Sequence, residues 1–561
     1  MNGATLLITG VLFFVAAYFV YGRYLARLFG VDPERITPAH TCNDGIDYVP
    51  ARRPVLFGHH FASIAGAGPI VGPVLAVYLG WGPVALWVLF GCVFIGAMHD
   101  FAALFASVRN EGRSIGHIIE QHLGYAGRQI FLVFCWSALV LVVAIFALLV
   151  ARTFVDTPAV ATASVLFIAM APCFGFLVYR RGLSILRGSV IFVPLLFFFI
   201  WLGTRLPLDL TAIFGIPSGT AKNIWLVILF VYVFIASTSP VWILLQPRDY
   251  LNSYLLYAMV LIGFISILFV TPHFKMPAFT GWFAEKPKGG VGSVFPILYV
   301  TVACGACSGF HALVSSGTTA KQINDEKDLL PVGYGAMLLE GVVALMALIS
   351  VAILPKSQYM AMLGSMTPVT AFASGLSGFT ARIGISSEIG MTFISLAVSA
   401  FMLTTLDTAT RLTRFAWQEL LMPCSDQKRN PFGTVTRLLS HTAVATLVCV
   451  LTAGYLSSTG TAWQIWPVFG ASNQLLAALT LLVITLMLFK AKSNFWVSLF
   501  PMLFMSTITC WALIALFRSN LGENNVLVVA TAFLLVMAFI LIVRAFFSLR
   551  NIRKNSRNPL S

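Results

Sequence analysis

The sequence predicts an all-α polytopic membrane protein of about 15 transmembrane helices, built on a core of two inverted repeats with peripheral helices around it. Three observations carry this. Hydrophobic residues make up 59% of the 561-residue chain and charged residues only 10%, against roughly 25% charged in a soluble domain. Apolar runs long enough to span a bilayer recur from end to end. Two of those runs, "GHHFASIAGAGPIVGPVLAVYLG" and "VFIASTSPVWILLQPRDY", carry a small-residue stretch ending in proline.

The runs fall at 4–22, 59–79, 83–107, 129–151, 160–179, 184–204, 223–246, 254–271, 294–320, 331–354, 386–420, 438–457, 464–489, 494–517 and 525–543. The first has no Lys or Arg before it, so it is expected to persist as a helix rather than be cleaved as a signal peptide. Short loops leave no room for an inserted soluble domain. The segment 366–379 is too short to span and is expected to be re-entrant or to lie in the interface. The nine cysteines, Cys424 among them, sit mostly inside apolar runs and read as core-filling residues.

The net charge of +15 does not indicate nucleic acid, because the charges form no basic stripe with interleaved aromatics. They sit at the ends of apolar runs. Of the 35 Lys and Arg, 26 fall in the loops after odd-numbered spans and the C-terminal tail. The positive-inside rule then puts the N-terminus outside and the C-terminus in the cytoplasm.

Gly68-Pro69 lies near the middle of the second span. Proline removes a backbone donor and clashes with the preceding turn, and lipid cannot satisfy the groups it frees. Setting Gly68-Pro69-Ile70 beside Ser239-Pro240-Val241 pairs two such breaks five spans apart, in helices of opposite direction. That is the pattern of an inverted-repeat transporter. The expected organisation is a first helix and loop (1–58), repeat 1 (59–204, spans 2–6), repeat 2 (205–421, spans 7–11) and peripheral helices (422–561). A half-helix starting near Gly68 offers free amides and a positive dipole end to an anion. The expected substrate contacts are therefore Gly66, Ala67, Gly68 and Ile70, with Ser237, Thr238 and Ser239 from the other break and His311 from span 9.

Ionisable residues at membrane depth are functional candidates by default. His59, His60, His99 and Asp100 share one expected cytoplasmic layer, where a proton relay or gate is favoured over a metal site. Glu340, in "GAMLLEGVVALM", is the expected proton carrier if it is paired across helices or protonated. Asp407 stands four residues before Arg411 on one helix face, so a structural ion pair is expected, with proton coupling or gating as the alternative. Cys304-x-x-Cys307 reads as close helix packing. Trp463 and Trp466 suit an interfacial belt, and Asn473 and Gln474 must be paired if buried.

The segments "FGHHFASIAGAGPIVGPVLA", "MHDFAALFASVRNEGRSIG", "CSGFHALVSSGTTAKQI", "LDTATRLTRFAWQE" and "WPVFGASNQLLAA" resemble the carbon-starvation protein A (CstA) family, over most of the chain. The resemblance implies a bacterial or archaeal inner-membrane transporter of peptides or of pyruvate with protons. It also implies a LeuT-like five-plus-five core. No site residue is carried over from the family.

The function expected is therefore secondary import of a small carboxylate, pyruvate foremost, by proton symport, with sodium as the other coupling ion. An importer of di- or tripeptides on the same scaffold is the nearest alternative. Neither "SIAGAGPIV" nor "IASTSPVW" holds an acid for a peptide amine, which favours the simple anion. A haem-binding redox protein is less favoured, since bis-His ligation needs facing histidines. Catalysis, a resident metal and a cofactor are not expected. No G-x-x-x-x-G-K-[ST] motif for nucleotide is present.

Overall fold

The computed structural model describes residues 2–45, 47–239, 245–421, 433–459 and 462–557. Thirteen helices among them are long and apolar enough to cross a membrane, or fourteen when a bent pair is counted as one span. The bent pair is α2 (Arg53–Ile64) and α3 (Gly68–Ala76), whose axes differ by 41°. Before it runs α1 (Gly3–Phe29), and after it α4 (Trp81–Arg109), α5 (Ile115–Asp156), α6 (Pro158–Val178) and α7 (Ile185–Arg205). Then follow α8 (Ser218–Thr238) and α9 (Leu245–Val270). Local chemistry sets several starts. The Asn2 carboxamide accepts from the Thr5 N–H at 2.7 Å, Ser114 caps α5 through the His117 N–H, and Pro158 occupies the first turn of α6, where its missing donor costs nothing.

A hairpin of Phe283–Glu285 and Val291–Ser293 leads into a second interrupted helix. Its first half is α10 (294–301) and its second half α11 (Gly309–Gly317). The chain leaves helical geometry at Val302 and resumes it after Ser308, across the small residues of "ACGACSG". Beyond lie α12 (Glu326–Ala352), α13 (Lys356–Ser365), α14 (Pro368–Ala381), α15 (Ser387–Leu421), α16 (Thr442–Thr459), α17 (Ala462–Lys490), α18 (Trp496–Asn520) and α19 (Asn525–Arg557).

Two long helices, α5 and α15, pack along each other at the centre. Helix α17 lies against α5 and α9 against α15, while α16 and α8 pack on both long helices and on each other. The interrupted helices sit inside this frame, α3 against α12 and α11 against α4.

Two expectations are corrected. Span 7 does not run from 223 to 246 around a break at Pro240. Helix α8 ends at Thr238 with Ser239 extended, a new helix begins at Leu245, and Pro240 and Val241 lie outside the described residues. The second mid-helix interruption is instead at 302–308. Trp466 is no interfacial anchor: it is 3% exposed, and its indole N–H donates to the Thr301 carbonyl at 3.2 Å. Trp463's side chain and Cys424 lie outside the described residues. Segment 366–379 forms the 14-residue α14, packed among α3, α9, α12 and α15.

Candidate functional site

The two interruptions cross. A Cβ on Gly68 would stand 2.3 Å from both Cβ and Sγ of Cys304, and one on Gly72 would stand 2.7 Å from the Thr301 carbonyl oxygen. Only glycine allows this approach. Cys304 thus packs the non-helical segment 302–308 against the start of α3, a close approach through small residues rather than a contact between two helices. Gly66 faces α15, where its Cβ would lie 2.6 Å from Thr405 Oγ1. Gly66, Ala67, Gly68 and Ile70 are all buried.

The ends of the two interruptions are satisfied differently. In the second, the Tyr299 carbonyl accepts from Gln474 at 2.7 Å, the Thr301 carbonyl from Trp466, and the Val302 carbonyl from Trp87 at 3.0 Å. Asn473 caps α11, its Oδ1 accepting from the Phe310 N–H at 2.8 Å while its Nδ2 donates to Ser308 Oγ at 2.9 Å. The second interruption therefore supplies the partners that Asn473 and Gln474 of α17 require at this depth. In the first interruption the Ile64 carbonyl accepts from the Gly66 N–H at 2.8 Å and lies beside the His311 ring.

Four ionisable side chains form a continuous buried chain next to this point. His99 Nδ1 is 2.8 Å from Asp100 Oδ1, and His311 Nδ1 is 2.7 Å from Asp100 Oδ2. His311 Nε2 then faces Glu340 Oε2 at 3.5 Å, an ion-pair distance too long for a hydrogen bond. All four side chains are fully buried. When both histidines donate from Nδ1 to Asp100, the Nε2 of His311 and the Glu340 carboxyl are placed so that a proton can be held by either group. It rests either on the imidazole, giving an ion pair, or on the acid, giving a neutral pair. Neither Glu340 oxygen has a hydrogen-bond partner among the described residues. His60 stands apart from this chain, its Nδ1 2.9 Å from Thr319 Oγ1, and His59 faces Asp249 at 3.5 Å. The expected histidine layer is thus divided among three sets of partners.

The hydroxyls of Ser237, Thr238 and Ser239 bond elsewhere. Ser237 pairs with Thr446 at 3.3 Å, while Thr238 and Ser239 donate to the carbonyls of Phe234 and Ile235 on their own helix. Arg411 donates to the Ala236 and Ser239 carbonyls at 2.9 and 2.8 Å, and Arg414 to that of Ser237. The expected Asp407–Arg411 pair gives way to another: Asp407 pairs with Arg248 and accepts from Tyr232 at 2.7 Å. The sequence reading did not single out Arg248, Asp249, Tyr232, Asn252 or Thr404. "QPRDY" was read as the end of one span, whereas it opens the next; a proline followed by adjacent opposite charges is the available signal.

A buried ionisable chain at the crossing of two interrupted helices, inside a multi-pass helical bundle, belongs to a membrane transporter. The family and its relatives agree. The chain belongs to the carbon starvation protein CstA family, whose model matches residues 2–367 and 361–512. It is 35% identical to the peptide transporter CstA of Campylobacter jejuni, over 90% of this chain and 79% of that one. It is 34% identical to the pyruvate/proton symporter BtsT of Escherichia coli, over 92% and 82%. A crystal structure of the Eremococcus coleocola manganese transporter mutant H236A superposes with a TM-score of 0.44 at 13% identity, covering 91% of this chain and 99% of that one.

Proposed function

We propose that the protein imports a small carboxylate, pyruvate foremost, in symport with protons across a bacterial inner membrane. The observation that carries this reading is the buried His99–Asp100–His311–Glu340 chain beside the first interruption, whose spacing suits the transfer of a proton. The substrate carboxylate meets the backbone at Gly66–Ile70, where α3 begins. The His311–Glu340 pair takes up the coupling proton on one side of the membrane and gives it up on the other. Fifteen crossings, with the N-terminus outside and the C-terminus in the cytoplasm, fit the distribution of basic residues.

The inverted-repeat reading is kept with different boundaries, residues 53–270 and 294–490. Helices α2/α3, α4, α5, α8 and α9 correspond to α10/α11, α12, α15, α16 and α17, with α6 and α7 inserted in the first repeat. Exchange of packing partners supports it: α5 on α17 answers α15 on α9, and α5 on α16 answers α15 on α8. Access alternates by rocking one set of helices against the other.

A peptide substrate is the second reading. The unpartnered Glu340 oxygens offer an acid to a peptide amine, and the relative in Campylobacter jejuni is named a peptide transporter. Uptake of labelled pyruvate into proteoliposomes under an inward proton gradient, with unlabelled dipeptides as competitors, separates the two. Accumulation that dipeptides leave untouched supports the carboxylate reading; uptake of labelled dipeptide without pyruvate uptake replaces it. Substituting a sodium gradient tests the other coupling ion.

A further inference from the structure

A second buried charge centre lies where α8, α9 and α15 meet beside α2, and the His99–Asp100–His311–Glu340 chain does not include it. Arg248, fully buried at the start of α9, donates to Asp407 and to Tyr232, and through Nη2 to Asp249 Oδ1 at 3.3 Å and Thr404 Oγ1 at 3.2 Å. Asn252 donates to Thr404 Oγ1 at 2.6 Å. Asp407 and Asp249 are equally buried. Two carboxylates thus face one guanidinium, and His59 of α2, 14% exposed, is the remaining titratable group beside them. Arg411 and Arg414, on Asp407's own helix, are spent on backbone carbonyls of α8.

The centre is incompletely satisfied. Arg248 Nε, Asp407 Oδ1 and Asn252 Oδ1 are buried with no hydrogen-bond partner among the described residues. It is also close to the interruption: Thr405, between Thr404 and Asp407 in sequence, is the residue that Gly66 faces and lies 3.5 Å from the Ser63 carbonyl.

Resting on the carboxylate-import reading, we infer that Arg248 is the cationic partner of the substrate carboxylate and that Asp407 occupies its place when substrate is absent. The exchange has a charge consequence. When an incoming carboxylate takes Arg248, Asp407 is left a buried anion without its counter-ion, which is strongly unfavourable. It therefore takes up a proton from water as the substrate binds, and Tyr232 then serves as the acceptor for the new carboxyl O–H. On release Asp407 loses that proton and re-forms the pair with Arg248. Substrate and proton thus enhance each other's binding by the same factor.

The test is equilibrium binding of labelled pyruvate to the purified full-length protein across pH, together with counterflow in proteoliposomes. Wild type should bind more weakly as pH rises, by up to about tenfold per unit for one linked proton. Asp407→Asn, which mimics the protonated acid, should lose the proton linked through Asp407 and bind with a shallower pH dependence than wild type. Arg248→Gln should weaken binding roughly 10- to 150-fold, the range of a charge-assisted hydrogen bond. A monodisperse gel-filtration profile with wild-type helical circular dichroism certifies that each variant is folded, and Tyr232→Phe, with a shifted but surviving pH dependence, provides a milder variant. Unaltered pH dependence in Asp407→Asn, or wild-type affinity in Arg248→Gln, overturns the inference while leaving pyruvate import standing. Absence of pyruvate binding and uptake by wild type removes the import reading itself.

Discussion

Replacing Gly68 by alanine tests the crossing of the two interrupted helices. The added methyl would lie 2.3 Å from the Cys304 side chain, with Cα of Cys304 at 3.7 Å. A heavy-atom separation of 2.3 Å is more than 1 Å inside carbon–carbon contact at about 3.5–4.0 Å, so α3 or the 302–308 segment must shift. Overpacking of this kind costs about 1–3 kcal/mol. The same geometry predicts its own rescue: Cys304→Gly removes both atoms that collide. In a cycle of Gly68→Ala, Cys304→Gly and the double variant, thermal unfolding in detergent should show Gly68→Ala destabilised and the double variant partly restored. The coupling energy should fall within the range of about 0.5–3 kcal/mol found for touching residues. Gly378→Ala, with no atom within 4 Å of its new Cβ, serves as the helical control and should be neutral or mildly stabilising. Wild-type stability in Gly68→Ala, or strictly additive effects in the double variant, would refute the crossing.

Other predictions follow from neighbouring contacts. Asn473→Ala removes the cap on α11 and should lower stability by about 0.5–2 kcal/mol, whereas Asn473→Asp keeps the acceptor for Phe310 N–H and should lose less; unfolding midpoints of both variants decide. Glu326, fully buried, accepts from Arg109 and from the Asp32 N–H, each at 2.9 Å, and so ties the 30–52 loop to the start of α12. Glu326→Ala should weaken that attachment by about 1.5–3 kcal/mol and accelerate tryptic cleavage at Arg35 and Arg52, read by mass spectrometry. Tyr359→Phe removes a hydroxyl that donates to the Val74 and Leu75 carbonyls at 2.8 and 3.1 Å, at a cost of about 1 kcal/mol visible in the same unfolding assay.

What the sequence reveals and what it hides follow from the range of each signal. Apolar length is local, so the spans are found wherever a helix is continuous, and Gly68-Pro69 is read correctly because a proline breaks its own helix. The second interruption has no proline at its centre; it rests on "ACGACSG", on donors from Trp87, Trp466 and Gln474, and on the Asn473 Oδ1 that accepts from the Phe310 N–H. Such support is invisible along one helix, and the Ser239-Pro240 stretch drew the assignment to a helix end instead. His99, Asp100, His311 and Glu340 each stand out by depth alone, while their union through Asp100 requires the fold to bring α4, α11 and α12 together. Asp407 shows the converse error. Its i,i+4 neighbour Arg411 is the partner that sequence spacing offers, but α8 ends beside Arg411 with open carbonyls, and Arg248 arrives from 159 residues away.

The central claim is that the His311–Glu340 pair carries the coupling proton. Proteoliposomes loaded with a pH-sensitive dye report it directly, as internal acidification when pyruvate is added outside. Wild type should acidify with each pulse, and Glu340→Gln should still exchange labelled for unlabelled pyruvate while acidifying less per pyruvate taken up, the remainder being the proton carried on Asp407. Equal acidification by wild type and Glu340→Gln would contradict the account and remove the proton from this pair.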